Sequence, residues 1–369
     1  SADTDGTNNG LQNVIIGSKA VGNNQGQYAE AFAMTDTVAI GYGVLKNGAG
    51  SSNSVVIGSL AADAVTSTDN LVIIGSGAGS ALTGADADGT IAIGYQSLSA
   101  CTTGQNNIAI GHNSMLLATL ATNNISIGYD SMNAMVGHDA TDAGHSNIAI
   151  GTDAMGTVNA NHDDSEVDGN IAIGTDALKG GLVASNGDLV GNIAIGYQAM
   201  DGTTTNDHTG TIAIGHNALT ALTSGTGNTA VGYAAMADLD TGANNTAFGY
   251  QAGHHMVTGG VTPSSNTYIG YQSGFYFDDG AKNTGVGYHA LYAGSGETNN
   301  GEENVGVGYD ALQAITTGTK NVAIGTGAAD SLTTDSNIVA IGKAAYSAMD
   351  TATDALDGSV SGSGNVAIG

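Results

Sequence analysis

Several residue types that commonly stabilise or mark a domain are scarce in this sequence. The 369 residues include one cysteine, Cys101, one proline, no tryptophan and no arginine. A single cysteine excludes a disulfide within the chain, and we expect Cys101 to be a small buried apolar residue. No run of about 18 apolar residues occurs, so the sequence offers no candidate for a transmembrane helix.

Positive charge is also scarce. Six lysines and no arginine stand against 33 aspartates and glutamates, which gives a formal net charge of −27 at pH 7. Such a chain repels nucleic acid and anionic membranes, and it lacks the arginine side chains that read phosphate and guanine. We therefore exclude nucleic acid as a partner and membrane insertion of this segment. The charge suits an extracellular protein, because dissolved ions screen its self-repulsion.

Glycine and small aliphatic residues are abundant, and they form a repeat. One glycine follows an apolar triplet in each copy of a short motif. Half of the intervals between successive motif glycines are as long as the interval from Gly94 to Gly111, and no interval is shorter. We interpret this 17-residue interval as the smallest closed coil and longer intervals as loop insertions. The motif glycines, which we expect at tight corners of the coils, are Gly17, Gly41, Gly58, Gly75, Gly94, Gly111, Gly128, Gly151, Gly174, Gly196, Gly215, Gly232, Gly249, Gly270, Gly287, Gly308, Gly325, Gly342 and Gly369.

Residues within the motif alternate with period two, as in Asn-Ile-Ala-Ile-Gly at 107–111. The two large aliphatic residues share one strand face, so we expect them to fill the coil interior. The small residue between them predicts an opposite face that presses against a close neighbour. A second strand is expected after the glycine, through segments such as Tyr-Gln-Ala-Met at 197–200, followed by a turn rich in Thr, Gly and Asn.

Two further positions recur in register. Asparagine stands four residues before most motif glycines, and stacked coils would align these amides in a hydrogen-bonded ladder. Tyrosine directly follows nine motif glycines, and His112 and His216 occupy the same position, so we expect a packing ladder in which the two histidines replace tyrosine. A stacking surface for sugars is the alternative use of these rings. The tyrosines are Tyr42, Tyr95, Tyr129, Tyr197, Tyr233, Tyr250, Tyr271, Tyr288 and Tyr309.

These patterns predict an all-β parallel β-solenoid of about 19 stacked coils. We expect one elongated repeat domain over residues 1–369, with repeats from about residue 13 and a lead-in over residues 1–12. The motif at 365–369 stops on its glycine, so we expect the parent polypeptide to continue.

Three segments carry a resemblance to a known family: Ile-Gly-Tyr-Gln-Ser-Leu at 93–98, Ile-Gly-Tyr-Gln-Ala-Met at 195–200 and Phe-Gly-Tyr-Gln-Ala-Gly at 248–253. They resemble the head repeats of trimeric autotransporter adhesins and, more closely, the long repeats of phage tail-fibre proteins. The resemblance covers about residues 13–369. It implies a left-handed parallel β-roll, assembly as a homotrimer, and a non-enzymatic role in attachment to a receptor or glycan of a host cell.

The resemblance leaves two locations open, a virion tail fibre and a bacterial cell surface. Bacterial adhesin heads favour coils shorter than the minimum interval found here, and the sequence contains neither a coiled-coil stalk nor a membrane anchor. The phage tail fibre is therefore the preferred interpretation, and the bacterial adhesin head is the alternative.

Three insertions combine imidazoles with carboxylates. Such groups could coordinate a divalent cation such as calcium, or a transition metal where histidine takes part; solvated loop carboxylates are the alternative, and no other cofactor is expected. The candidates are His138, Asp139, Asp142 and His145 in the first insertion, His162, Asp163, Asp164 and Asp168 in the second, and Asn206, Asp207 and His208 in the third. We interpret the pair His254 and His255 and the aromatic run Phe275, Tyr276 and Phe277 as a packed local cluster and not as a receptor pocket.

Two other solenoid functions can be compared with attachment. A left-handed β-helix acyltransferase would follow a hexapeptide rhythm, which the 17-residue minimum does not. An ice-binding solenoid would need a regular threonine array at one strand position, whereas the pairs Thr102-Thr103, Thr203-Thr204 and Thr316-Thr317 fall in turns. No nucleophile elbow, nucleotide-binding glycine loop or zinc-protease helix motif occurs, so we predict that the chain is not an enzyme.

Overall fold

A computed structural model of the chain describes residues 12–21, 34–47, 51–83, 87–135, 144–158, 166–180, 187–203, 208–256, 262–294, 299–347 and 364–369. The chain divides into two compact units, residues 1–191 and residues 192–369. The described residues of each unit consist of short strands and turns without an α-helix, and each unit is a parallel β-solenoid. None of these residues belongs to a helix that could span a membrane.

Short β-branched segments form the strands of the first unit, where Ile and Val favour extended backbone. Apart from β9 and β11, which pair with each other, the strands pair in parallel with the next copy of the motif, so that Ile108 lies between Ile91 and Ile125. The strands are β1 (Val14–Ile16), β2 (Val38–Ile40), β3 (Val55–Ile57), β4 (Val72–Ile74), β5 (Ile91–Ile93), β6 (Ile108–Ile110), β7 (Ile125–Ile127), β8 (Ile148–Ile150), β9 (Val167–Asp168), β10 (Ile171–Ile173) and β11 (Leu189–Val190).

The second unit repeats this arrangement. Its strands are β12 (Ile193–Ile195), β13 (His208–Thr209), β14 (Ile212–Ile214), β15 (Thr229–Val231), β16 (Thr246–Phe248), β17 (Thr267–Ile269), β18 (Thr284–Val286), β19 (Val305–Val307), β20 (Val322–Ile324), β21 (Val339–Ile341) and β22 (Val366–Ile368). All except β13 pair in parallel with the neighbouring motif strand, and each motif position lies beside the same position of the next coil.

The predicted orientation of the motif strand was wrong. In β6 the middle residue, Ala109, is fully buried, whereas Ile108 and Ile110 on the opposite face are only partly buried. The coil interior is instead filled by long side chains from the segment after the glycine, such as Leu98 and Met115. In most coils these side chains leave room only for a small residue on the inner face of the strand, and the aliphatic pair points outward. The exceptions in the first unit include Val56 in β3 and Ile73 in β4, which are fully buried at this position.

The predicted second strand was also wrong. The segment after Gly94 consists of turns in which Gln96 and Leu98 have φ of 51° and 52°. Its amides still bond to neighbouring coils, with Gln96 N donating to Ser76 O at 3.0 Å and Leu98 N to Ser114 O at 2.9 Å. The left-handed residues interrupt strand alternation, and consequently the consecutive side chains of Ser97 and Leu98 are both buried.

The motif glycines lie against one another in each unit. Gly94 has φ of 136°, and a Cβ added to it would lie 2.2 Å from the carbonyl oxygen of Gly111. The same approach recurs at Gly111 towards Gly128, at 2.1 Å. A side chain at this corner would collide with backbone, which is why the position is restricted to glycine.

The predicted asparagine ladder is confirmed. Asn124 N donates to Asn107 Oδ1 at 3.0 Å, and Asn147 N donates to Asn124 Oδ1 at 2.8 Å. Each amide also reaches a turn carbonyl, as in the bond from Asn107 Nδ2 to Ala121 O. These side chains are completely buried, and their bonds satisfy backbone groups at the corner that precedes each strand.

One coil of the second unit carries a large residue on the inner face of its strand. Tyr268, the middle residue of β17, is fully buried and takes the place that alanine or glycine holds in the neighbouring strands. Added Cβ atoms at Gly274 and Gly285 would lie 2.5 Å and 3.2 Å from its ring. The glycines therefore make room for an aromatic ring inside the coil.

Candidate functional site

The predicted aromatic ladder is confirmed, including the two histidine substitutions. Tyr95, His112 and Tyr129 stack at centroid distances of 5.1 Å in the first unit. In the second unit seven rings stack at 5.0 to 5.3 Å; these are Tyr197, His216, Tyr233, Tyr250, Tyr271, Tyr288 and Tyr309. The ladder follows from the fixed register of the residue after the glycine.

The ring faces within this ladder cover one another. Tyr250 and Tyr271 are inclined by 6°, and Tyr271 and Tyr288 by 7°. About half of the tyrosine surface remains exposed, as at Tyr197 with 45% and Tyr309 with 52%. Because stacking covers the ring faces, we expect the exposed parts to be ring edges and hydroxyl groups. A sugar that stacks flat on an aromatic ring needs an open ring face. The rings inside the ladder do not offer one.

A polar row runs beside the aromatic ladder in the second unit. Gln272 Nε2 donates to Gln251 Oε1 at 2.8 Å, and His289 Nε2 lies 3.0 Å from Gln272 Oε1. Nδ1 of His289 lies 3.6 Å from a carboxylate oxygen of Asp310. Desolvation lowers the pKa of His289, an effect that Asp310 opposes. The row presents hydrogen-bonding groups next to the tyrosine edges.

Two consecutive histidines meet an aspartate of the preceding coil. Asp238 Oδ2 lies 2.5 Å from His255 Nδ1 and 3.4 Å from His254 Nδ1, and the three donor atoms all lie within 4.8 Å of one another. The pKa of Asp238 is lowered, chiefly because its carboxylate interacts with the His254 imidazole, with a smaller contribution from His255. This histidine cluster, defined as Asp238, His254 and His255, is the one group in the described part of the chain with three possible metal ligands.

Aromatic rings hold the histidine cluster in place. The His255 ring is parallel to Tyr276, with 4.9 Å between centroids, and His254 stacks on Phe275 at 5.2 Å. The prediction of a packed local cluster is confirmed for these residues. Asp238 was missed, although its distance from His255 along the sequence equals the minimum coil length, a spacing that places the two residues in adjacent coils.

Only part of the sequence-predicted metal loops falls within the described residues. His138, Asp139, Asp142, His162, Asp163, Asp164, Asn206 and Asp207 lie outside them. A carboxylate oxygen of Asp168 accepts a hydrogen bond from the backbone amide of His145 at 2.6 Å. His208 is buried in β13, with Nε2 3.1 Å from Thr223 O. The structure therefore brings His145 and Asp168 together, although they come from two different predicted loops.

A short threonine row occupies one strand position in the second unit. Thr229, Thr246, Thr267 and Thr284 occupy the first position of β15 to β18 and pair in register. The flanking strands carry Ile212 and Val305 at that position. The row is thus a short polar interruption in an otherwise aliphatic surface.

Two of the turn threonines use their hydroxyl groups within the solenoid. Thr102 Oγ1 donates to Thr119 O at 3.2 Å, and Thr316 Oγ1 donates to Thr333 O at 3.0 Å. Each bond joins residues 17 positions apart. These hydroxyl groups connect neighbouring coils, which is a structural use and not a surface for binding.

The outward positions of the motif strands form a largely apolar surface in each unit, interrupted by the threonine row, and we call this surface the aliphatic stripe. It consists of the first and third residues of every three-residue strand, and none of these residues is charged. Exposure is substantial at Phe248 with 57%, at Ile269 with 40% and at Ile324 with 41%. Exposed apolar surfaces of this kind are common at interaction sites.

Cys101 agrees with its predicted role. The side chain is completely buried and forms no disulfide, and burial raises the pKa of the thiol to about 11. A protonated, inaccessible thiol is a weak nucleophile, so this residue contributes packing.

The stacked strands, buried asparagines and repeated surfaces define the chain as a parallel β-solenoid repeat protein. No protein-family model matches the sequence, and no curated protein matches it.

Proposed function

We propose that the chain is a shaft or head segment of a homotrimeric, non-enzymatic fibre that attaches to a cell surface. In this proposal each subunit is a left-handed β-roll of about 19 stacked coils, and three subunits pack around a common axis. The observation that carries the proposal is the aliphatic stripe, which leaves uncharged Ile, Val and Phe side chains open on successive coils.

A second copy of this chain is the partner that fits the stripe best. The stripe repeats at the spacing of parallel strands, about 4.8 Å, and another copy in parallel orientation presents the same residue types at the same spacing. The net charge of −27 opposes association of copies, but the stripe itself carries no charge. Burial of apolar area therefore favours contact along this surface alone.

Attachment from outside the cell is consistent with the remaining surface. The chain carries a large negative charge and only six lysines, while the tyrosine edges and the polar row offer hydrogen bonds to a receptor or glycan. The resemblance to tail-fibre repeats and the 17-residue minimum coil favour a virion tail fibre. A bacterial adhesin head would use the same surfaces.

The oligomeric state of the purified chain tests this proposal. We expect a trimer in analytical ultracentrifugation, and we expect the double variant Phe248→Glu, Ile269→Glu to shift it towards monomer, because charged groups would be buried in the interface. Leu117→Glu is the matched control, since Leu117 is 45% exposed but lies outside the stripe. A wild-type monomer at all concentrations, or equal association of the double variant and the wild type, contradicts the proposal.

Cell binding tests the attachment role separately. Labelled wild-type protein is applied to a panel of bacterial cells beside the double variant. We expect binding to at least one strain, and weaker binding of the variant because it loses multivalency. Failure of the wild-type trimer to bind any cell would contradict direct contact between this segment and a receptor.

A further inference from the structure

We propose that Asp238, His254 and His255 form a binding site for a divalent transition-metal ion, with Zn²⁺ as the ion that fits best. Two imidazole nitrogens and one carboxylate oxygen are a ligand set that Zn²⁺ accepts, with a water in the fourth position. The site differs from the acidic loops of the sequence analysis, and it does not depend on attachment or trimer formation.

The distances between the donor atoms suit a small ion. Bonds of about 2.0 Å in a tetrahedral site place neighbouring ligand atoms about 3.3 Å apart. The 3.4 Å between His254 Nδ1 and Asp238 Oδ2 already matches this separation. The 2.5 Å between His255 Nδ1 and Asp238 Oδ2 corresponds to a direct hydrogen bond, so the ion replaces the shared proton and the two groups separate by about 0.8 Å.

A poorly satisfied buried atom provides a further reason for a ligand. Nδ1 of His254 is buried, only 16% of the side chain is exposed, and the 3.4 Å between this nitrogen and Asp238 Oδ2 is longer than an ordinary hydrogen bond. A buried polar atom that is incompletely hydrogen-bonded is unfavourable. Coordination would satisfy this nitrogen while the carboxylate of Asp238 balances part of the ion's charge.

The backbone preorganises the three ligands. Asp238 N donates to His254 O at 3.0 Å, and His255 N donates to Phe275 O at 2.9 Å, so the ligands belong to hydrogen-bonded neighbouring coils. Stacking on Phe275 and Tyr276 restricts the two imidazole rings. Asp238 is 40% exposed, which leaves a route for the ion and for water.

Zinc binding to the full chain tests the site. After chelator treatment, the protein is titrated with Zn²⁺ in a calorimeter and with Co²⁺ in a spectrophotometer, where visible bands report tetrahedral coordination. We expect the variants Asp238→Asn, His254→Phe and His255→Phe each to weaken one equivalent of binding by at least about tenfold. The phenylalanine variants retain the aromatic stacking but remove the ligand.

The control variant is His289→Phe, because His289 also lies near an aspartate, Asp310, but has no third ligand among the residues that the structure describes. Binding should be unchanged in this variant. Equal Zn²⁺ affinity of the wild type and the three ligand variants, or no binding by the wild type, would overturn the proposal. Sedimentation of each variant with and without chelator separates this outcome from a failure to form trimers.

A spectroscopic measurement on the wild-type protein tests the site even if the variants fail to fold. The chain contains nine histidines, and their imidazole proton signals can be followed by NMR in the wild-type protein. We expect Zn²⁺ to shift two of them first. A uniform response of all nine, or a first response of other histidines, contradicts the assignment.

Discussion

The motif glycine shows most clearly how a single residue constrains this molecule. At Gly249 the backbone has φ of 143°, and an added Cβ would lie 2.4 Å from the carbonyl oxygen of Gly270. The contact is with backbone that belongs to the next hydrogen-bonded coil, so it cannot be relieved by rotation of a side chain. Any larger residue would have to separate two coils or change the corner.

Replacement of this glycine should therefore be costly. We expect Gly249→Ala to lower the free energy of unfolding by more than about 2 kcal/mol, since it combines backbone strain with a steric clash. Thermal melting followed by circular dichroism measures the effect. Gly294→Ala is the control, because none of the described residues lies within 4 Å of its added Cβ, and its effect should stay within about 0.5 kcal/mol. Equal melting of the two variants would contradict the steric explanation.

At the scale of one element, the turn after β17 places a carboxyl group in an unfavourable position. The pKa of Asp278 is raised to about 6, chiefly by burial and to a smaller extent by the neighbouring Asp279, while a hydrogen bond from the backbone of Asn299 acts in the opposite direction. A carboxyl group with a raised pKa binds its proton more tightly in the folded state than in the unfolded state. Folding is therefore favoured as the pH falls.

Substitution of this residue should change the pH dependence of stability. For the wild type, the contribution of Asp278 increases as the pH falls from about 7 through its folded pKa towards about 4, and Asp278→Asn should remove that contribution. At pH 7 the variant should be more stable by on the order of 1 kcal/mol, a value reduced for solvent screening. Melting temperatures measured over this pH range test the prediction. Parallel pH profiles for the variant and the wild type would show that Asp278 does not titrate as described.

At the scale of the whole molecule, electrostatic repulsion opposes the compact state. The net charge of −27 is balanced by few cations, and a surface ion pair such as Lys282 with Glu303, at 3.7 Å, contributes little. The asparagine ladder and buried aliphatic side chains must therefore supply most of the stability. Both are short-range interactions that salt does not weaken.

Salt should stabilise this protein. Raising the NaCl concentration from about 10 mM to 150 mM shortens the screening length from about 30 Å to about 8 Å, and we expect the melting temperature to rise by several degrees as repulsion between carboxylates declines. Sucrose solutions serve as a control for effects that do not depend on charge. A melting temperature that falls with NaCl would mean that attractive ion pairs outweigh the repulsion.

The sequence alone determined which residues lie beside one another along the stack. A repeat with a fixed minimum length places equivalent positions in register, and this was sufficient to predict the asparagine ladder, the tyrosine ladder with His112 and His216, and the parallel strands. The same rule would have linked Asp238 to His255, had the spacing between them been compared with the repeat.

Only the tertiary structure decided which way the side chains face. Period-two alternation defines two faces of a strand but does not indicate which one is inside. That depends on what else fills the coil, and here Leu98, Met115 and similar residues reach inward from left-handed turns that local propensity does not favour. The inner face therefore accepts alanine, and the aliphatic stripe lies on the outside because the interior is already full.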